Sequence, residues 1–482
     1  MLDQRHSQPH IVIIGGGITG LSAAHALQQH AGTADATRYT LVEQAPRLGG
    51  KIRTDLVEHA GRFVVEAGPD SLLAQKPWGV DLARELGLGD ALIGNNRERK
   101  AVYVLTHGRP ERMPDGLSLI VPTNLAAFAR SRLLSPLGRL RAMLEPLVPA
   151  RRDNVDEALG DFIRRRFGRE ALERMAEPLM AGIHNAEIGR QSILSTFPRF
   201  HAIERSQGSL IRALRAERQR AKPNATSPFV SFSGGLQQLV DTLAAQLTGR
   251  ILTNTGVQAI TRSADGSAYS VLLDSGEILD ANALIVTTPA FVAAGLLANM
   301  QPELASMLRQ IRYVSTATIS LAFRKSEIGE PIDGSGLLIP RVERRQINAL
   351  TMSSIKYAGR APDDAVLIRV FAGGSHNPGV LQLDDDALLA TVREELRALL
   401  GITATPLFSR IYRWNQANPQ YDVGHLDRVA AMEALCPAGL YLAGCAFRGV
   451  GIPDCIQQGQ AVAQQAFAAM VSKQAALASY EQ

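Results

Sequence analysis

The sequence has 482 residues, of which 46% are hydrophobic and 20% are charged, and its formal net charge is +5. A chain of this length exceeds a single ordinary core, so we expect two or three domains. The composition excludes a disordered or a fibrous protein. Because 51 basic residues stand against 46 acidic ones, the charge excess is too mild to indicate a class of partner.

Cysteine usage and the chain start indicate the compartment. Cys436, Cys445 and Cys455 are odd in number, crowded near the end and without the CxxC spacing of a zinc site. No segment approaches the roughly 18 apolar residues of a membrane-spanning helix, and residues 1–10 lack the apolar core of an export signal. We expect a cytoplasmic protein with neither a disulfide framework nor a metal site.

The first predicted elements are a strand, a glycine-rich turn, a helix and a second strand. Ile11–Ile14 is a continuous apolar run, which is typical of a parallel strand buried on both faces. The turn that follows consists of Gly15, Gly16, Gly17, Ile18, Thr19 and Gly20. Its GxGxxG spacing permits a tight turn, close approach of the main chain to a pyrophosphate, and close packing of helix on strand. Glu43 follows about 20 residues further on, at the position where a carboxylate binds a ribose. The pattern predicts a dinucleotide site for NAD or FAD.

Three further glycine-containing segments follow. Gly49 and Gly50 come directly before Lys51, and NAD-binding domains do not usually continue in this way, so FAD is favoured. At 68–71 small and turn-forming residues would let the main chain lie against a flat ring. Near the end, the strand at 441–443 leads to a glycine-rich helix start at 450–452, whose amides and dipole could stabilise a reduced flavin.

The middle third is predicted to be a helical unit. Residues 123–180 and 207–220 have helical patterns that are rich in arginine and interrupted by prolines 136, 146 and 149. The basic helices between Phe128 and Arg152 fit either an anionic membrane surface or an ordinary solvated face. After Phe229 strands return at 251–253, 270–273, 283–286, 316–323 and 366–371, and a helix is predicted at 385–400.

With these residues assembled, the chain resembles the FAD-dependent porphyrinogen oxidases of haem synthesis, within the monoamine oxidase and phytoene desaturase superfamily, over nearly its whole length. The motif GGGITGLSAA carries the superfamily likeness, and GPDSLL, EPLMAGIH, STFPRF and VGIPDCIQQG carry the family likeness. The segments GPDS, SPLGRLR and YDVGH are most similar to the Gram-positive-type branch, whose members act chiefly on coproporphyrinogen III.

The resemblance implies a fold of three parts, α/β plus α+β. A Rossmann-like FAD-binding domain would be assembled from residues 1–75, 229–300 and 405–482. A β-sheet substrate domain would comprise 76–110 and 301–404, and a helical membrane-facing domain 111–228.

The resemblance also implies a set of site residues. The implied FAD contacts are Gly15, Gly16, Gly17, Ile18, Thr19, Gly20, Glu43, Gln44, Lys51, Gly68, Pro69, Asp70, Ser71, Val257, Trp414, Val450, Gly451 and Ile452. Trp414 could equally be a core aromatic. Lys76 and Arg369 are candidates for binding substrate propionates, although each could be an ordinary surface charge.

In the implied reaction a porphyrinogen is oxidised, with dioxygen as acceptor and hydrogen peroxide as product. The branch that the chain resembles favours coproporphyrinogen III, which would be oxidised to coproporphyrin III. One FAD, bound non-covalently, would carry the redox chemistry, so no catalytic acid or base is expected. The protein would be cytoplasmic, with peripheral contact to the inner membrane face or to other haem-pathway enzymes left open.

Three other activities also remain open. The first is oxidation of protoporphyrinogen IX. The second is amine oxidation, which would need an aromatic pair before the flavin, where only Phe447 partly fits, and often a cysteine for covalent attachment, which Cys445 could supply. The third is flavin binding without turnover. Nucleic-acid binding is disfavoured because aromatic and basic residues do not interleave.

Overall fold

The computed structural model describes residues 9–30, 38–220, 227–329 and 331–480. The parts of the predicted domains that fall at 1–8, 31–37, 221–226, 330 and 481–482 lie outside these residues.

A five-stranded parallel sheet, here called the nucleotide sheet, contains the first predicted strand at its centre. Its strands, in spatial order, are Arg250–Leu252, Arg38–Val42, His10–Ile14, Ala283–Val286 and Leu440–Leu442. Because alternate side chains of a strand point to opposite faces, Ile11 and Ile13 enter one hydrophobic core while Val12 and Ile14 enter another. Burial on both faces explains why these strands are continuous apolar runs.

Helices cover both faces of the nucleotide sheet. The first face packs against Ile18–His30, Trp78–Glu85, Gln237–Ala245 and Ile452–Tyr480. The second packs against the antiparallel strands Val257–Arg262, Tyr269–Leu273 and Ile278–Ala281 and against the helices Ala290–Leu297, Pro302–Arg309 and His425–Ala434.

A seven-stranded sheet forms the second layer. Its strands, in spatial order, are Phe408–Pro419, Tyr313–Arg324, Ala365–Gly373, Ala349–Met352, Gly336–Leu338, Val102–Thr106 and Arg109–Arg112, all antiparallel except for the pair Gly336–Leu338 and Val102–Thr106. The helix Asp385–Leu400 packs its apolar side against one face.

The edge strand of this sheet, Phe408–Pro419, pairs with Tyr313–Arg324. It thus continues the seven-stranded sheet beyond residue 405, where the sequence analysis begins the last FAD-binding segment. All the predicted domain limits stay predictions.

The middle of the chain folds into the predicted helical unit around its own core. Its helices are Leu125–Arg130, Pro136–Met143, Leu159–Phe167, Arg169–Ala171, Glu177–His184, Ile193–Thr196, Pro198–Gln207 and Leu210–Arg220, with a π-helical turn at Leu172–Ala176. Glu145 and Arg166 form a fully buried ion pair inside the unit, and Glu145 accepts hydrogen bonds from Ser209 Oγ at 2.6 Å and Leu210 N at 3.1 Å, which fixes the start of the last of these helices.

Short elements complete the fold. They are the hairpin Thr54–Glu58 and Arg62–Glu66, the three-stranded sheet of Leu72–Leu73, Phe229–Phe232 and Leu92–Gly94, the pair Leu117–Ser118 and Val121–Pro122, the helices Lys325–Ile328 and Ser353–Lys356, and 3-10 turns at Gly89–Ala91, Glu145–Leu147, Arg341–Glu343 and Pro378–Gln382. Within the described parts of the chain, no helix has the length and apolar character needed to cross a bilayer.

Candidate cofactor site

The glycine turn sits where the central strand of the nucleotide sheet ends. Gly15 has φ of 111°, which favours glycine, and its amide donates to Val42 O at 2.8 Å. The Glu43 carboxylate accepts from Gly16 N at 2.6 Å and from Ala45 N at 2.8 Å. Two main-chain donors therefore hold this carboxylate beside the turn, in the position predicted for a ribose contact.

The glycines of the turn differ in the space around them. A Cβ placed on Gly20 would lie 2.0 Å from Gly15 O, so this position requires close packing of helix on strand. A Cβ on Gly17 would have no atom of the described chain within 4 Å. Nearby, Thr288 Oγ1 is buried and makes no hydrogen bond to any described residue. An open space at a helix start with an unsatisfied hydroxyl close by fits a phosphate group.

The second glycine pair packs directly on this turn. Gly49 N donates to Gly16 O at 2.8 Å, and a Cβ on Gly50 would lie 3.3 Å from Gly17 Cα. The next residue, Lys51, places Nζ 2.5 Å from Ala417 O and 3.0 Å from Cys445 Sγ. Lys51 thus joins the turn region to the seven-stranded sheet and to the C-terminal segment.

The segment 67–71, here called the site loop, packs against Lys51. A Cβ on Gly68 would lie 1.9 Å from Lys51 O, so only glycine fits there. The Ala67 carbonyl accepts from Thr318 Oγ1 at 2.7 Å and from Trp414 Nε1 at 2.9 Å. Both donors lie on one face of the seven-stranded sheet, and the helix Asp385–Leu400 packs on the opposite face. Trp414 therefore has a definite function in holding the loop, whether or not it also contacts a cofactor.

Arg369 has a different environment from the one predicted. Its side chain is only 4% exposed. Its Nη2 donates to Ala67 O at 3.3 Å and to Gly68 O, and its Nη1 lies 4.0 Å from Asp70 Oδ2. The Arg369 guanidinium therefore supports the site loop, and its predicted contact with a substrate propionate stays a prediction.

The Asp70 carboxylate is the anionic centre of the site loop. Lys356 Nζ lies 2.9 Å and 2.7 Å from its two oxygens, and Ser71 Oγ donates to it at 2.7 Å. Burial alone would raise the pKa of Asp70, but the charges of Lys356 and Arg369 hold that pKa well below its usual range. Asp70 is therefore ionised throughout the physiological range.

Aromatic side chains fix the C-terminal segment. Tyr421 Oη donates to Cys445 O at 2.8 Å and accepts from Gly449 N at 2.9 Å. The His425 ring stacks on Tyr421 with centroids 4.0 Å apart, and its Nε2 lies 2.8 Å from Phe447 O, to which it donates. Burial lowers the pKa of His425 to about 4, so the ring is neutral at pH 7.

The last helix begins at Ile452, as predicted, directly after Val450 and Gly451. Lys76 Nζ lies 2.6 Å and 2.7 Å from the two oxygens of Asp454 in the first turn of this helix. The Lys76 side chain is 42% exposed, so its ammonium is paired and still accessible from outside.

The structure brings most of the predicted residues together. The turn 15–20, Glu43, Lys51, the site loop, Trp414 and the segment 450–452 belong to one contiguous set of contacts. Gln44 and Val257 lie at its edge, since Thr255 N donates to Glu43 O at 3.0 Å and a Cβ on Gly256 would lie 3.9 Å from Gln44 Cγ. Their contacts to FAD remain predictions.

Sequence reasoning missed several residues that build this site. Thr318, Lys356 and Thr288 stand in no recognised motif, and long-range packing alone places them. Tyr421 and His425 belong to the YDVGH segment, which indicated a branch of the family but no structural function.

Comparisons with known proteins agree with this geometry. Residues 18–466 match the family described as flavin containing amine oxidoreductase. The chain is 36% identical to the coproporphyrinogen III oxidase of Bacillus subtilis (strain 168), covering 96% of this chain and 99% of the relative. It is 30% identical to the chloroplastic protoporphyrinogen oxidase of Oryza sativa subsp. japonica, covering 92% and 86% of the two chains.

A solved structure shows the same fold. The crystal structure of a putative protoporphyrinogen oxidase from Exiguobacterium sp. 255-15 superimposes with a TM-score of 0.84 at 32% identity, covering 95% of this chain and 98% of that one. The resemblance to porphyrinogen oxidases is thereby confirmed. The chain belongs to the flavin-containing amine oxidoreductase family, and it is an oxidoreductase.

Proposed function

We propose that the chain binds one FAD non-covalently and oxidises coproporphyrinogen III to coproporphyrin III, with dioxygen as acceptor and hydrogen peroxide as product. The observation that carries this proposal is the near full-length likeness to the Bacillus subtilis coproporphyrinogen III oxidase. The dinucleotide geometry around Gly17 and Glu43 supports it independently.

The chain's own residues would bind and orient the cofactor. Glu43 would accept hydrogen bonds from the ribose, and the open space at Gly17 would take the pyrophosphate at the helix start. The main chain of the site loop and the start of the last helix would border the ring system. When bound, FAD supplies the hydride acceptor and passes the electrons to dioxygen.

Substrate recognition requires cations for the propionates. Lys76 remains our candidate because it is accessible, although it must exchange its contact with Asp454 for a propionate. Arg369 is the weaker of the two candidates because it is buried and bonded to the site loop.

We also propose that the protein is cytoplasmic and contacts the membrane peripherally. In the helical unit, Leu137, Leu140, Leu144 and Leu147, here called the leucine face, are 78%, 53%, 42% and 72% exposed. Arg130, Arg132 and Arg152 lie exposed in the same unit. Exposed leucines next to arginines support insertion at an anionic lipid surface.

Aerobic turnover of the FAD-loaded protein tests the reaction. Coproporphyrinogen III and protoporphyrinogen IX would be supplied separately, and porphyrin fluorescence and peroxide followed against an autoxidation control. We expect a preference for coproporphyrinogen III and one peroxide for each two-electron step. Preference for protoporphyrinogen IX would contradict the substrate, and no rate above the control with either would contradict the reaction.

Unfolding in acid tests non-covalent binding. The yellow colour should pass entirely into the supernatant after precipitation. Flavin retained in the pellet would contradict the proposal and would point to attachment, with Cys445→Ser as the variant that identifies the attachment residue.

A further inference from the structure

The site loop is held by an unusual concentration of charge. Lys356 and Arg369 reach it from the seven-stranded sheet side and meet Asp70, and we call these three residues the loop clamp. Lys356 is at the end of the short helix Ser353–Lys356, and Arg369 lies in a central strand. The clamp therefore joins a loop of the nucleotide-binding part to the second sheet.

A second set of contacts holds the other side of the same loop. Arg360, which is 1% exposed, donates from Nη2 to Ser231 Oγ at 2.7 Å, and Ser231 Oγ donates to Asp70 O at 2.8 Å. Arg360 Nη2 also lies 3.6 Å from Glu66 Oε1. Within the loop clamp itself, two cations (Lys356 and Arg369) face the one carboxylate of Asp70, which leaves an excess of one positive charge.

The position of this excess gives it a chemical consequence. The site loop touches Lys51 through Gly68, and Lys51 follows the glycine pair that packs on Gly17. The loop thus borders the space assigned above to the cofactor. A buried positive charge is poorly screened, so it stabilises a negative charge developing on a neighbouring group more strongly than a surface charge would.

We propose that Lys356 and Arg369 are positioning residues for the flavin: Arg369 fixes the main chain of the site loop, and the clamp raises the reduction potential of the bound flavin through its net positive charge. This inference rests on the proposed FAD site and does not depend on which porphyrinogen is the substrate. If the clamp were only structural, removing a positive charge and removing a negative charge would both reduce stability and FAD content in the same direction.

Charge variants test the electrostatic part. Lys356→Met removes a positive charge and Asp70→Asn removes a negative one, with little change in side-chain volume. The midpoint potential of bound FAD would be measured by anaerobic dye-coupled titration without porphyrinogen. We expect it to fall in K356M, to rise in D70N and to return close to the starting value in the double variant.

Arg369 variants test the positioning part. Arg369→Met should lower the midpoint potential of bound FAD and weaken FAD binding about tenfold, the equivalent of one lost charge-assisted hydrogen bond. Arg369→Lys keeps the positive charge, so it should restore the midpoint potential but only part of the affinity for FAD. Arg410→Met is the matched control because Arg410 is an exposed cation on the edge strand of the same sheet, two strands from Arg369, where solvent screens its charge. It should change neither quantity.

The outcomes are distinct. Shifts of the same sign in K356M and D70N, or no shift in either, would overturn the inference while leaving the FAD site in place. Opposite shifts in a protein that turns over neither porphyrinogen would support the inference and contradict the proposed substrate. A starting protein that binds no FAD would overturn both the cofactor assignment and the inference.

Discussion

Two glycines of the GxGxxG motif, Gly17 and Gly20, have different surroundings in the fold. Gly20 is required because helix and strand touch there, whereas Gly17 faces open space and has no steric need for glycine in the protein itself. The sequence motif treats these positions alike. The structure therefore separates a folding requirement from a binding requirement within six consecutive residues.

Alanine substitutions should reveal this separation. Gly17→Ala should leave the thermal stability of the FAD-free protein unchanged and weaken FAD binding, because its Cβ occupies the space proposed for the pyrophosphate. Gly20→Ala should destabilise the FAD-free protein by more than ~2 kcal/mol through overpacking. Thermal unfolding and FAD titration measure the two effects, and equal destabilisation by both variants would contradict the distinction.

A buried histidine makes stability depend on pH. The pKa of His425 in the folded protein is about 4, below its ordinary 6.5, so the unfolded chain binds a proton that the folded protein refuses. Its contribution is fully present above pH 6.5 and is lost as the pH falls toward 4, with a slope of up to about 1.4 kcal/mol per pH unit.

The variant His425→Gln keeps a donor for Phe447 O and removes the titration. Its free energy of unfolding should fall less steeply than that of the unaltered protein between about pH 7 and about pH 5, as measured by denaturant titration. Burial, and to a smaller extent Arg341, also lowers the pKa of His376 to about 4. His376 would therefore maintain part of the pH dependence of stability in both proteins. Identical slopes would contradict the assignment to His425.

At the scale of elements, the site depends on two helices that are distant in sequence. The helices Ile18–His30 and Ile452–Tyr480 approach so closely that a Cβ on Gly459 would lie 2.3 Å from Thr19 O. This contact sets the last helix beside the glycine turn. It also explains why a small residue stands at this buried helical position.

Substitution of Gly459 should separate the helices. We expect Gly459→Ala to lower the free energy of unfolding by about 2 kcal/mol and to weaken FAD binding, because both helix starts border the site. Gly295→Ala is the control: Gly295 lies exposed in a helix with nothing within 4 Å of its added Cβ, so alanine there should stabilise by about 0.5 kcal/mol or more. Thermal unfolding would measure both variants, and a Gly459→Ala protein as stable as the Gly295→Ala protein would contradict the prediction.

Elements with strong local patterns could be predicted from the sequence, and those set by distant pairing could not. Ile11–Ile14 and Ala283–Val286 are apolar runs that bury on both faces, and the helix Asp385–Leu400 has matching caps and periodicity. Phe408–Pro419 mixes aromatic, polar and charged residues, most of them half-buried or exposed, so nothing local shows that it pairs with Tyr313–Arg324. Lys356 escaped prediction for the same reason, because it is 286 residues from Asp70 in the sequence.

At the scale of the whole molecule, the helical unit carries the surface that we assign to the membrane. The proposed contact rests on the leucine face, whose side chains are exposed on this unit. The arginines of the helical unit have two different environments. Arg166 is buried in an ion pair with Glu145, whereas Arg130 and Arg132 are exposed. Charge counting along the sequence could not separate these two groups.

Flotation with liposomes tests the leucine face. The protein should float with vesicles of phosphatidylglycerol and less with phosphatidylcholine, and high salt should weaken the binding. Replacing Leu137 and Leu147 together with glutamine should reduce flotation several-fold without lowering thermal stability, since both side chains are largely exposed. Unchanged flotation would place the contact elsewhere.

The order of strands in the nucleotide sheet has a consequence for synthesis in the cell. Its central strand is His10–Ile14, but one edge is Leu440–Leu442, and the helix that borders the glycine turn comes later still. A nascent chain therefore cannot assemble the cofactor site before Leu440–Leu442 and the start of the last helix have been synthesised. A chain that terminates before Leu440 would lack an edge strand of the sheet and the helix beside the glycine turn, so we expect it to retain no flavin.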